Sequence, residues 1–208
     1  MKTVLLPVKD FRYAKQRLSS ALDARSRAEL ARAMLSDVLK VLGGARVPER
    51  VVVFSSSDDI VQMAERFGFE VILENSIQGH STAVNHMVRE LSSSSSRILS
   101  MAADLPKLLP REIDFILNMS TQPITIIPSR DGTGTNGVVF NPPACIAMEY
   151  GEGSFRRHLS KAAAAGFAAD VLNVPGMAFD IDTPEDLETF LNDPRRDSQT
   201  WQYLMGLR

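Results

Sequence analysis

Short apolar runs alternate with longer amphipathic ones along most of this chain, and this alternation restricts the fold more than any other feature. The runs that predict strands lie at residues 3–8, 51–54, 69–73, 98–102, 124–127, 138–140 and 169–174. Strands that alternate with helices usually form a mostly parallel sheet with helices on both faces. The pattern therefore predicts an α/β fold.

The amphipathic segments predict helices at residues 25–42, 57–68, 82–91, 110–118, 154–165 and 183–191. In the first helix, Ser26 and Glu29 have the spacing of a capping box, which favours a helix start there. The serine run at 92–96 is typical of an exposed loop. No repeat or linker interrupts the pattern, so residues 1–191 are predicted to form a single domain.

The tail at residues 192–208 departs from this alternation. It contains Pro194, two adjacent arginines and then several apolar side chains from Trp201 to Met205. Such a segment is either a loose terminus or an arm that buries its apolar residues on a neighbouring subunit. The second alternative would make the protein a homodimer.

The charge balance disfavours several classes of partner. The 208 residues carry a formal net charge of −2, so nothing favours binding to nucleic acid or to a membrane surface.

No apolar run is long enough to cross a bilayer, and the first one is too short for a signal peptide. Cys145 is the only cysteine, which excludes an intrachain disulfide and fits a cytoplasmic location. An anionic substrate would be met by local basic groups or a metal ion.

The first candidate site residue is Asp104, which follows the predicted strand at 98–102 and precedes Pro106 by two positions. In an open α/β sheet, ligands bind beyond the carboxyl ends of the strands. A carboxylate there is a suitable ligand for Mg²⁺, which uses one or two carboxylates together with substrate phosphates. Taken alone, an aspartate in this position more commonly forms a turn or caps a helix.

The second candidate is the pair Asp180 and Asp182. If residues 179–182 are extended, both carboxylates project to one face of the chain while their neighbours project to the other. Adjacent carboxylates repel each other unless a cation or a proton lies between them, and Mg²⁺ would fill that role. Thr183 as N-cap and Pro184 at the first helical position would fix the chain direction. The alternative gives Asp182 to the helix start and leaves Asp180 solvated.

Two glycine-containing segments are candidate anion sites. The segment at 129–137 could turn backbone N–H groups onto a phosphate, although it precedes a strand and lacks the ending of a P-loop. A simple glycine-rich hairpin is its alternative. Residues 151–154 open a predicted helix, whose N-terminus attracts anions. In that helix His158 is expected to make a structural hydrogen bond, and a catalytic role is its alternative.

Cationic residues cluster after the first predicted strand. Lys9, Arg12, Lys15 and Arg17 all lie within the first 17 residues, and such a cluster suits a triphosphate. The alternative is a solvated basic turn.

Several segments, in their order along the chain, resemble the 2-phospho-L-lactate guanylyltransferases, relatives of the molybdopterin and sugar-nucleotide nucleotidyltransferases. The segments are Pro7-Val8-Lys9, Ala14-Lys15-Gln16-Arg17-Leu18, Ala103-Asp104-Leu105-Pro106, Gly134-Thr135-Asn136, Gly153-Ser154-Phe155 with Arg157-His158, and Asp180-Ile181-Asp182-Thr183-Pro184-Glu185-Asp186-Leu187.

The resemblance implies a three-layer α/β/α, Rossmann-like nucleotidyltransferase fold with a mixed, mostly parallel sheet. It implies transfer of GMP from GTP to 2-phospho-L-lactate with release of pyrophosphate, in deazaflavin coenzyme biosynthesis. Related members look able to use phosphoenolpyruvate instead. The partners would then be small molecules, with Mg²⁺ as the cofactor.

The resemblance also implies a role for each candidate residue. The magnesium ligands would be Asp104, Asp180 and Asp182. The contacts with the phosphorylated acid would come from Thr135, Gly151 and Ser154. The nucleotide would be bound by Lys9, Lys15, Arg17, Gly79 and Asp104, among which Asp104, Lys9 and Lys15 would be catalytic. One departure is Gly79-His80-Ser81, which stands where the family typically has Gly-Leu-Asn near the nucleotide.

In the implied reaction, a phosphate oxygen of the acid attacks the α-phosphorus of GTP in line. A phosphomonoester with a second pKa near ~6 is largely dianionic at neutral pH, so no general base is required. The alternatives are a nucleotidyltransferase of another specificity, a non-catalytic nucleotide-binding module, and a haloacid-dehalogenase-type phosphatase. The phosphatase would use Asp180-Ile181-Asp182 as its nucleophile motif, but Pro184 stands where that motif has Thr or Val.

Overall fold

The computed structural model of this chain describes residues 1–73 and 80–207. Its strands are β1 (Lys2–Pro7), β2 (Arg50–Ser55), β3 (Glu70–Leu73), β4 (Arg97–Met101), β5 (Ile124–Pro128), β6 (Thr135–Phe140) and β7 (Ala169–Val171). They form one sheet with the order β3-β2-β1-β4-β6-β5-β7. Strand β6 is antiparallel to β4 and β5, whereas the other pairings are parallel. The predicted mixed, mostly parallel sheet is confirmed.

The helices of the described residues are α1 (Ala24–Gly44), α2 (Asp58–Glu65), α3 (His80–Ser92), α4 (Pro110–Met119), α5 (Ser154–Ala164), α6 (Pro175–Ala178), α7 (Pro184–Asn192) and α8 (Gln199–Gly206). Two 3-10 turns lie at Phe11–Tyr13 and Gln16–Leu18. Among residues 1–73 and 80–207, no helix has the length and apolar content needed to cross a membrane.

The sheet lies between two helical layers. Successive side chains of a strand point to opposite faces, so Val4 and Leu6 of β1 pack with α1, α2 and α4, while Leu5 packs with α3 and α5. This confirms the three-layer α/β/α arrangement. The carboxyl ends of β1 and β4 meet at one edge, and this edge carries the candidate site.

Two local predictions differ from the structure. The N-cap of α1 is Asp23, whose carboxylate accepts a hydrogen bond from the Ser26 backbone N–H at 2.7 Å. The predicted capping box of Ser26 and Glu29 is therefore wrong, because an aspartate caps as well as a serine and lies one turn earlier. The serine run is not uniformly exposed, since the buried Ser95 hydroxyl contacts the Thr3 hydroxyl at 2.8 Å.

The segment with the paired aspartates lies outside the sheet. Strand β7 ends earlier than predicted, and the short helix α6 stands between it and residues 179–182. The predicted alternation nevertheless holds, because Phe179 and Ile181 are buried while Asp180 and Asp182 are half-buried. Both acids thus remain accessible although their segment is not a strand.

The C-terminal tail packs on its own chain. Helix α8 lies against α1, where Leu204 joins Leu30 in an apolar cluster. Asp37 of α1 accepts hydrogen bonds from the backbone N–H groups of Gln199 and Thr200 at 2.7 and 2.9 Å. This arrangement differs from both alternatives that the sequence suggested, the loose terminus and the arm on a neighbour. A homodimer stays a prediction.

Candidate active site

Two adjoining pockets open at the edge of the sheet where the parallel strands end. The hairpin pocket, of about 310 Å³, is lined by the β5–β6 connection and the start of α5, including Thr135 and Ser154. The strand-end pocket, of about 360 Å³, is lined by residues that follow β1 and β4, including Lys9 and Asp104. The site therefore lies where ligands bind in open α/β sheets.

The two pockets share a wall. The residues that line both are Thr135, Asn136, Tyr150, Asp180 and Asp182. Two further charged groups stand beside this wall on the strand-end side, Asp104 and Lys15. We call Asp104, Asp180, Asp182 and Lys15 the acid wall. Molecules bound in the two pockets would both face Asp180 and Asp182.

Lys15 links two acids of the acid wall, Asp104 and Asp182. Its ammonium donates to the Asp104 carboxylate and lies 2.7 Å from Asp182 Oδ1, and its side chain is 5% exposed. Its backbone φ of +53° lies in the left-handed region, which is uncommon for a residue with a Cβ. The interpretation as a solvated basic turn is therefore wrong for Lys15.

The charges of the acid wall do not balance. Burial disfavours the Lys15 ammonium, but the charges of Asp104 and Asp182 outweigh it and raise the pKa of Lys15. Burial also opposes the ionised form of Asp182, yet Lys15 holds the pKa of that carboxyl below its usual value. For Asp180, burial and then the charges of Asp104 and Asp182 raise the pKa to about 6. The wall therefore has an excess of negative charge, and Asp180 is the carboxyl in it whose pKa is raised.

This excess fits a cation, although the three acids do not form a ready-made metal cluster. In the part of the chain that the structure describes, no group of three or more acidic, histidine or cysteine side chains is arranged to hold a metal ion. Lys15 contacts Asp104 and Asp182, while Asn136 Nδ2 donates to Asp180 Oδ1 at 3.3 Å. Carboxylate oxygens are the ligands that Mg²⁺ prefers. The magnesium role of the three aspartates stays a prediction.

The start of α7 fixes the backbone of the paired acids. Thr183 is the N-cap and Pro184 is the first helical residue, as predicted. The Asp186 carboxylate accepts hydrogen bonds from the backbone N–H groups of Asp182 and Thr183 at 3.2 and 2.9 Å. Free N–H groups at a helix start attract carboxylates, so this cap places Asp182 at the end of the helix that faces the pockets.

The glycine-rich segment is a hairpin loop, residues 129–134, between the antiparallel strands β5 and β6. The Asp131 carboxylate accepts hydrogen bonds from Ser129 Oγ at 2.6 Å and from the Thr133 hydroxyl and N–H at 2.6 and 3.0 Å. These bonds lower the pKa of Asp131 to about 2. The Gly134 N–H donates to Ser129 Oγ at 2.7 Å, and a Cβ on Gly134 would lie 2.9 Å from that oxygen. The segment is therefore a hairpin, in which the Thr133 and Gly134 N–H groups are bonded within the loop. An anion-binding role for the segment stays a prediction.

The residues predicted to contact the phosphorylated acid all line the hairpin pocket. Thr135 begins β6, Gly151 precedes α5, and Ser154 is the first residue of α5. The Ser154 N–H donates to the Gly151 carbonyl at 3.0 Å, and the Phe155 N–H donates to the Thr133 carbonyl at 3.2 Å. These N–H groups at the start of α5 are therefore already bonded, so side-chain hydroxyls are the more available donors.

The residues predicted to bind the nucleotide are divided between the two pockets. Lys9 and Lys15 line the strand-end pocket, whereas Arg17 lines the hairpin pocket. The charge of Arg17 also helps to lower the pKa of Asp182. Arg12 is exposed in a surface ion pair, as the solvated-turn alternative predicts. Gly79 lies outside the described residues.

Sequence reasoning missed two residues that line both pockets, Asn136 and Tyr150. The structural hydrogen bond expected for His158 is confirmed, since this residue is fully buried and bonded to Thr135 and Glu149. The position of Asn136 directly after Thr135 was an available signal, because both begin a short strand at the edge that binds ligands. No pattern in the sequence indicated that Tyr150 would reach this edge.

Comparison with known proteins identifies the family. The whole chain, residues 1–208, matches the sequence model of the family described as "Guanylyl transferase CofC like". This chain belongs to that family. The CofC-like proteins are nucleotidyltransferase enzymes, so neither the phosphatase nor the non-catalytic module describes this chain.

Curated relatives of this CofC-like chain are named for three different acceptors. The phosphoenolpyruvate guanylyltransferase of Conexibacter woesei is 35% identical over 88% of this chain and 84% of the relative. The 3-phospho-D-glycerate guanylyltransferase of Colwellia psychrerythraea is 31% identical over 89% of each chain. The 2-phospho-L-lactate guanylyltransferase of Methanothermobacter thermautotrophicus is 29% identical over 90% of this chain and 83% of the relative.

Solved structures share the fold at lower identity. A protein of Desulfovibrio desulfuricans G20, described as a nucleotide-diphospho-sugar transferase, superposes with a TM-score of 0.78 at 19% identity and covers 99% of this chain and 95% of its own. A 4-diphosphocytidyl-2C-methyl-D-erythritol synthase has a TM-score of 0.62 at 12% identity, with 90% and 96% coverage. The predicted nucleotidyltransferase fold is confirmed.

Proposed function

We propose that this CofC-like protein transfers GMP from GTP to a phosphorylated three-carbon acid and releases pyrophosphate. The observation that carries the proposal is the pair of adjoining pockets that share Asp180 and Asp182 of the acid wall. The strand-end pocket holds the lysines expected to face the nucleotide, and the hairpin pocket holds the residues expected to face the acid. Two anionic substrates in these pockets would meet at the acid wall.

In the proposed step, a phosphate oxygen of the acid attacks the α-phosphorus of GTP. The bond from this phosphorus to the oxygen that bridges to the β-phosphate breaks, and its electron pair leaves with pyrophosphate. A phosphomonoester with a second pKa of ~6 is already largely dianionic at neutral pH, so no proton has to be removed. His158 is not required as a base, since it is buried and lines neither pocket.

The contribution of the chain is electrostatic and positional. Lys9 and Lys15 would face the phosphates of the nucleotide, and Arg17 would face the anionic groups of the acid. Fixed cations and donors of this kind are usually the largest contribution to phosphoryl and nucleotidyl transfer. Mg²⁺ held by the three aspartates of the acid wall would neutralise the phosphates of both substrates.

Phosphoenolpyruvate is the acceptor that we propose first. A relative named for it is 35% identical, compared with 31% for a relative named for 3-phospho-D-glycerate and 26–30% for relatives named for 2-phospho-L-lactate. All three acids carry a phosphate and a carboxylate on three carbons. The groups that line the hairpin pocket and suit these anions include the hydroxyls of Thr135 and Ser154 and the guanidiniums of Arg17 and Arg130. The product would belong to deazaflavin coenzyme biosynthesis, as the family resemblance implies.

Pyrophosphate release tests the proposal directly. Each of the four nucleoside triphosphates is combined with phosphoenolpyruvate, 2-phospho-L-lactate or 3-phospho-D-glycerate, with magnesium and with EDTA. We expect release with GTP and phosphoenolpyruvate only when magnesium is present, together with a guanylylated acid detected by mass spectrometry. Release with a different nucleotide would replace the GTP assignment. No release with any pair would overturn the proposed function.

A further inference from the structure

A buried histidine lies directly behind the hairpin pocket. His158 is fully buried in α5 and lines neither pocket, and its ring stands edge-on to Tyr150 with 5.9 Å between ring centroids. Its Nε2 accepts a hydrogen bond from the Glu149 backbone N–H at 3.0 Å. Its Nδ1 lies 2.9 Å from the Thr135 hydroxyl oxygen. Both ring nitrogens therefore have partners within the chain.

The backbone partner determines which nitrogen carries the proton. A backbone N–H can only donate, so Nε2 must be the unprotonated acceptor of the neutral ring. The proton then lies on Nδ1, which donates it to Thr135 Oγ1. A ring protonated on Nε2 would place two donors against each other at Glu149. The structure thus determines the tautomer without a visible hydrogen.

The tautomer in turn directs the Thr135 hydroxyl. A hydroxyl has one hydrogen to donate, and its oxygen here is already occupied as an acceptor. Among the residues that the structure describes, His158 is the partner of this hydroxyl. Thr135 lines the hairpin pocket, so its own hydrogen is available to a group bound there. An anion accepts such a hydrogen, whereas the reversed arrangement would present lone pairs to it.

We propose that His158 is a positioning residue, which fixes the Thr135 hydroxyl as a hydrogen-bond donor to the anionic acceptor in the hairpin pocket. The proposal rests on the proposed function, because it assigns the acceptor to this pocket. It adds a residue that contacts no substrate and acts through another. Hydrogen bonds to ionised acceptors are stronger than those between neutral groups, so the direction of one hydroxyl has a measurable effect on binding.

The surroundings of His158 keep the ring neutral. Burial, and then the charges of Lys161 and Arg157, lower its pKa to about 4, against a smaller opposite contribution from Glu149. Tyr150 packs on the ring without adding charge. The donor direction is therefore constant over the pH range in which a phosphomonoester is dianionic.

A matched pair of variants separates positioning from structural support. The side-chain amide of Asn reaches the place of Nδ1, and that of Gln reaches the place of Nε2. His158→Asn can therefore keep the bond to Thr135 and lose the one to Glu149, whereas His158→Gln does the opposite. A purely structural role would make the two variants similar.

Steady-state kinetics with varied acceptor and varied GTP give the first test. For His158→Gln we expect KM for the acceptor to rise about tenfold, which corresponds to one lost hydrogen bond to a charged group, with a much smaller change in KM for GTP. The rise for His158→Asn should be clearly smaller. In a Thr135→Val background, His158→Gln should add no further rise. Equal effects of Asn and Gln, or additive effects with Thr135→Val, would overturn the proposal.

Nitrogen-15 NMR of the imidazole rings gives a second test that does not depend on turnover. The chain has three histidines, and the signals absent from the spectrum of His158→Gln identify those of His158. We expect the neutral Nδ1–H form from pH 6 to 8. An Nε2–H form would refute the positioning role even in an active enzyme. If the wild-type protein shows this tautomer but transfers GMP to none of the acids, the proposed function fails while the assigned tautomer stands.

Discussion

The hairpin loop and the acid wall adjoin the same pocket, yet they differ in how their charges are compensated. In the hairpin loop, donors from Ser129 and Thr133 surround Asp131 and lower its pKa to about 2. In the acid wall, burial and two like charges raise the pKa of Asp180 to about 6. The first region is complete without a ligand. The second carries a negative charge that only a proton or an added cation can offset.

This difference separates what stabilises the fold from what serves the reaction. Groups that satisfy one another, such as Asp131 and Thr133, contribute to stability and have little capacity left for a ligand. Groups in conflict, such as Asp180, reduce stability, and perturbed carboxyls of this kind are concentrated at functional sites. Variants of the acid wall should therefore change activity more than stability. Variants of the hairpin loop should change stability more than activity.

The largest effect is expected for Asp104→Asn in the acid wall. It removes a proposed magnesium ligand and one partner of Lys15 while keeping the size of the side chain. We expect kcat to fall about 1000-fold, or about 4 kcal/mol, with the fold intact by circular dichroism. The exposed Asp170→Asn on β7 is the matched control and should retain wild-type activity. An active Asp104→Asn variant would remove the acid wall from the mechanism.

The second effect is a pH dependence of the free energy of unfolding, which comes from the buried His158 behind the hairpin pocket. The pKa of His158 is lowered from 6.5 to about 4 in the folded protein. The contribution of the neutral His158 ring to the free energy of unfolding is therefore fully present above pH 6.5 and is lost as the pH falls through 4. The loss amounts to about 3 kcal/mol.

Urea unfolding at pH 7 and at pH 4 measures this contribution. The free energy of unfolding should fall by about 3 kcal/mol more in the wild type than in His158→Gln over this interval. The other histidines are present in both proteins, so their contributions cancel. Equal losses in the two proteins would show that His158 titrates normally.

The pH dependence of stability that comes from Asp180 should have the opposite sign to that of His158, and Asp180→Asn tests it. Because the pKa of Asp180 is raised in the folded protein, its contribution to the free energy of unfolding is fully present below pH 3.8. This contribution is lost as the pH rises through 6. Replacing the charge should therefore raise the unfolding free energy at pH 7.5 without magnesium by about 2 kcal/mol. The same variant should lose most of its transferase activity. Pyrophosphate release measures the activity. Thermal unfolding with and without magnesium and GTP measures the stability, and the ligands should stabilise the wild type more than the variant. A variant less stable than the wild type would contradict the charge conflict.

The smallest effect is expected for Asp131→Asn in the hairpin loop. The variant loses charge-assisted bonds to Ser129 and Thr133, but solvent screens this exposed carboxylate, so the cost should be about 1 kcal/mol. That stabilisation is present above pH 3.8 and is lost as the pH falls through 2. We expect kcat to fall far less than in Asp104→Asn. A comparable loss of activity in the two variants would remove the distinction between the regions.

The sequence predicted the elements and the edge of the site because both follow from local patterns. Alternating apolar runs located the strands, and Thr183 with Pro184 marked the start of α7. Local patterns could not predict the direction of β6, which depends on its pairing with two neighbours. They also could not predict helix α8 on α1, because Asp37 meets Thr200 across 163 positions of the chain.

The arrangement of side chains inside the site could not be predicted, because it depends on contacts between residues far apart in the sequence. Lys15 meets Asp104 across 89 positions and Asp182 across 167. No spacing rule reveals such contacts, so the sequence suggested three acids around a metal and a separate basic turn. Thr135 and His158 were both singled out from the sequence, but the hydrogen bond between them became visible only when β6 and α5 were placed together.

The reversed direction of β6 has a consequence for how such enzymes diverge. Because it runs against the other described strands, its first residues lie at the edge where the others end. Thr135, Gly151 and Ser154 of the hairpin pocket, and His158 behind it, fall within one continuous stretch, 135–158, whereas the lysines of the strand-end pocket precede residue 16. Under the proposed function, most of the residues that recognise the acid would lie in this one stretch, which could change in sequence separately from the lysines that would face the nucleotide.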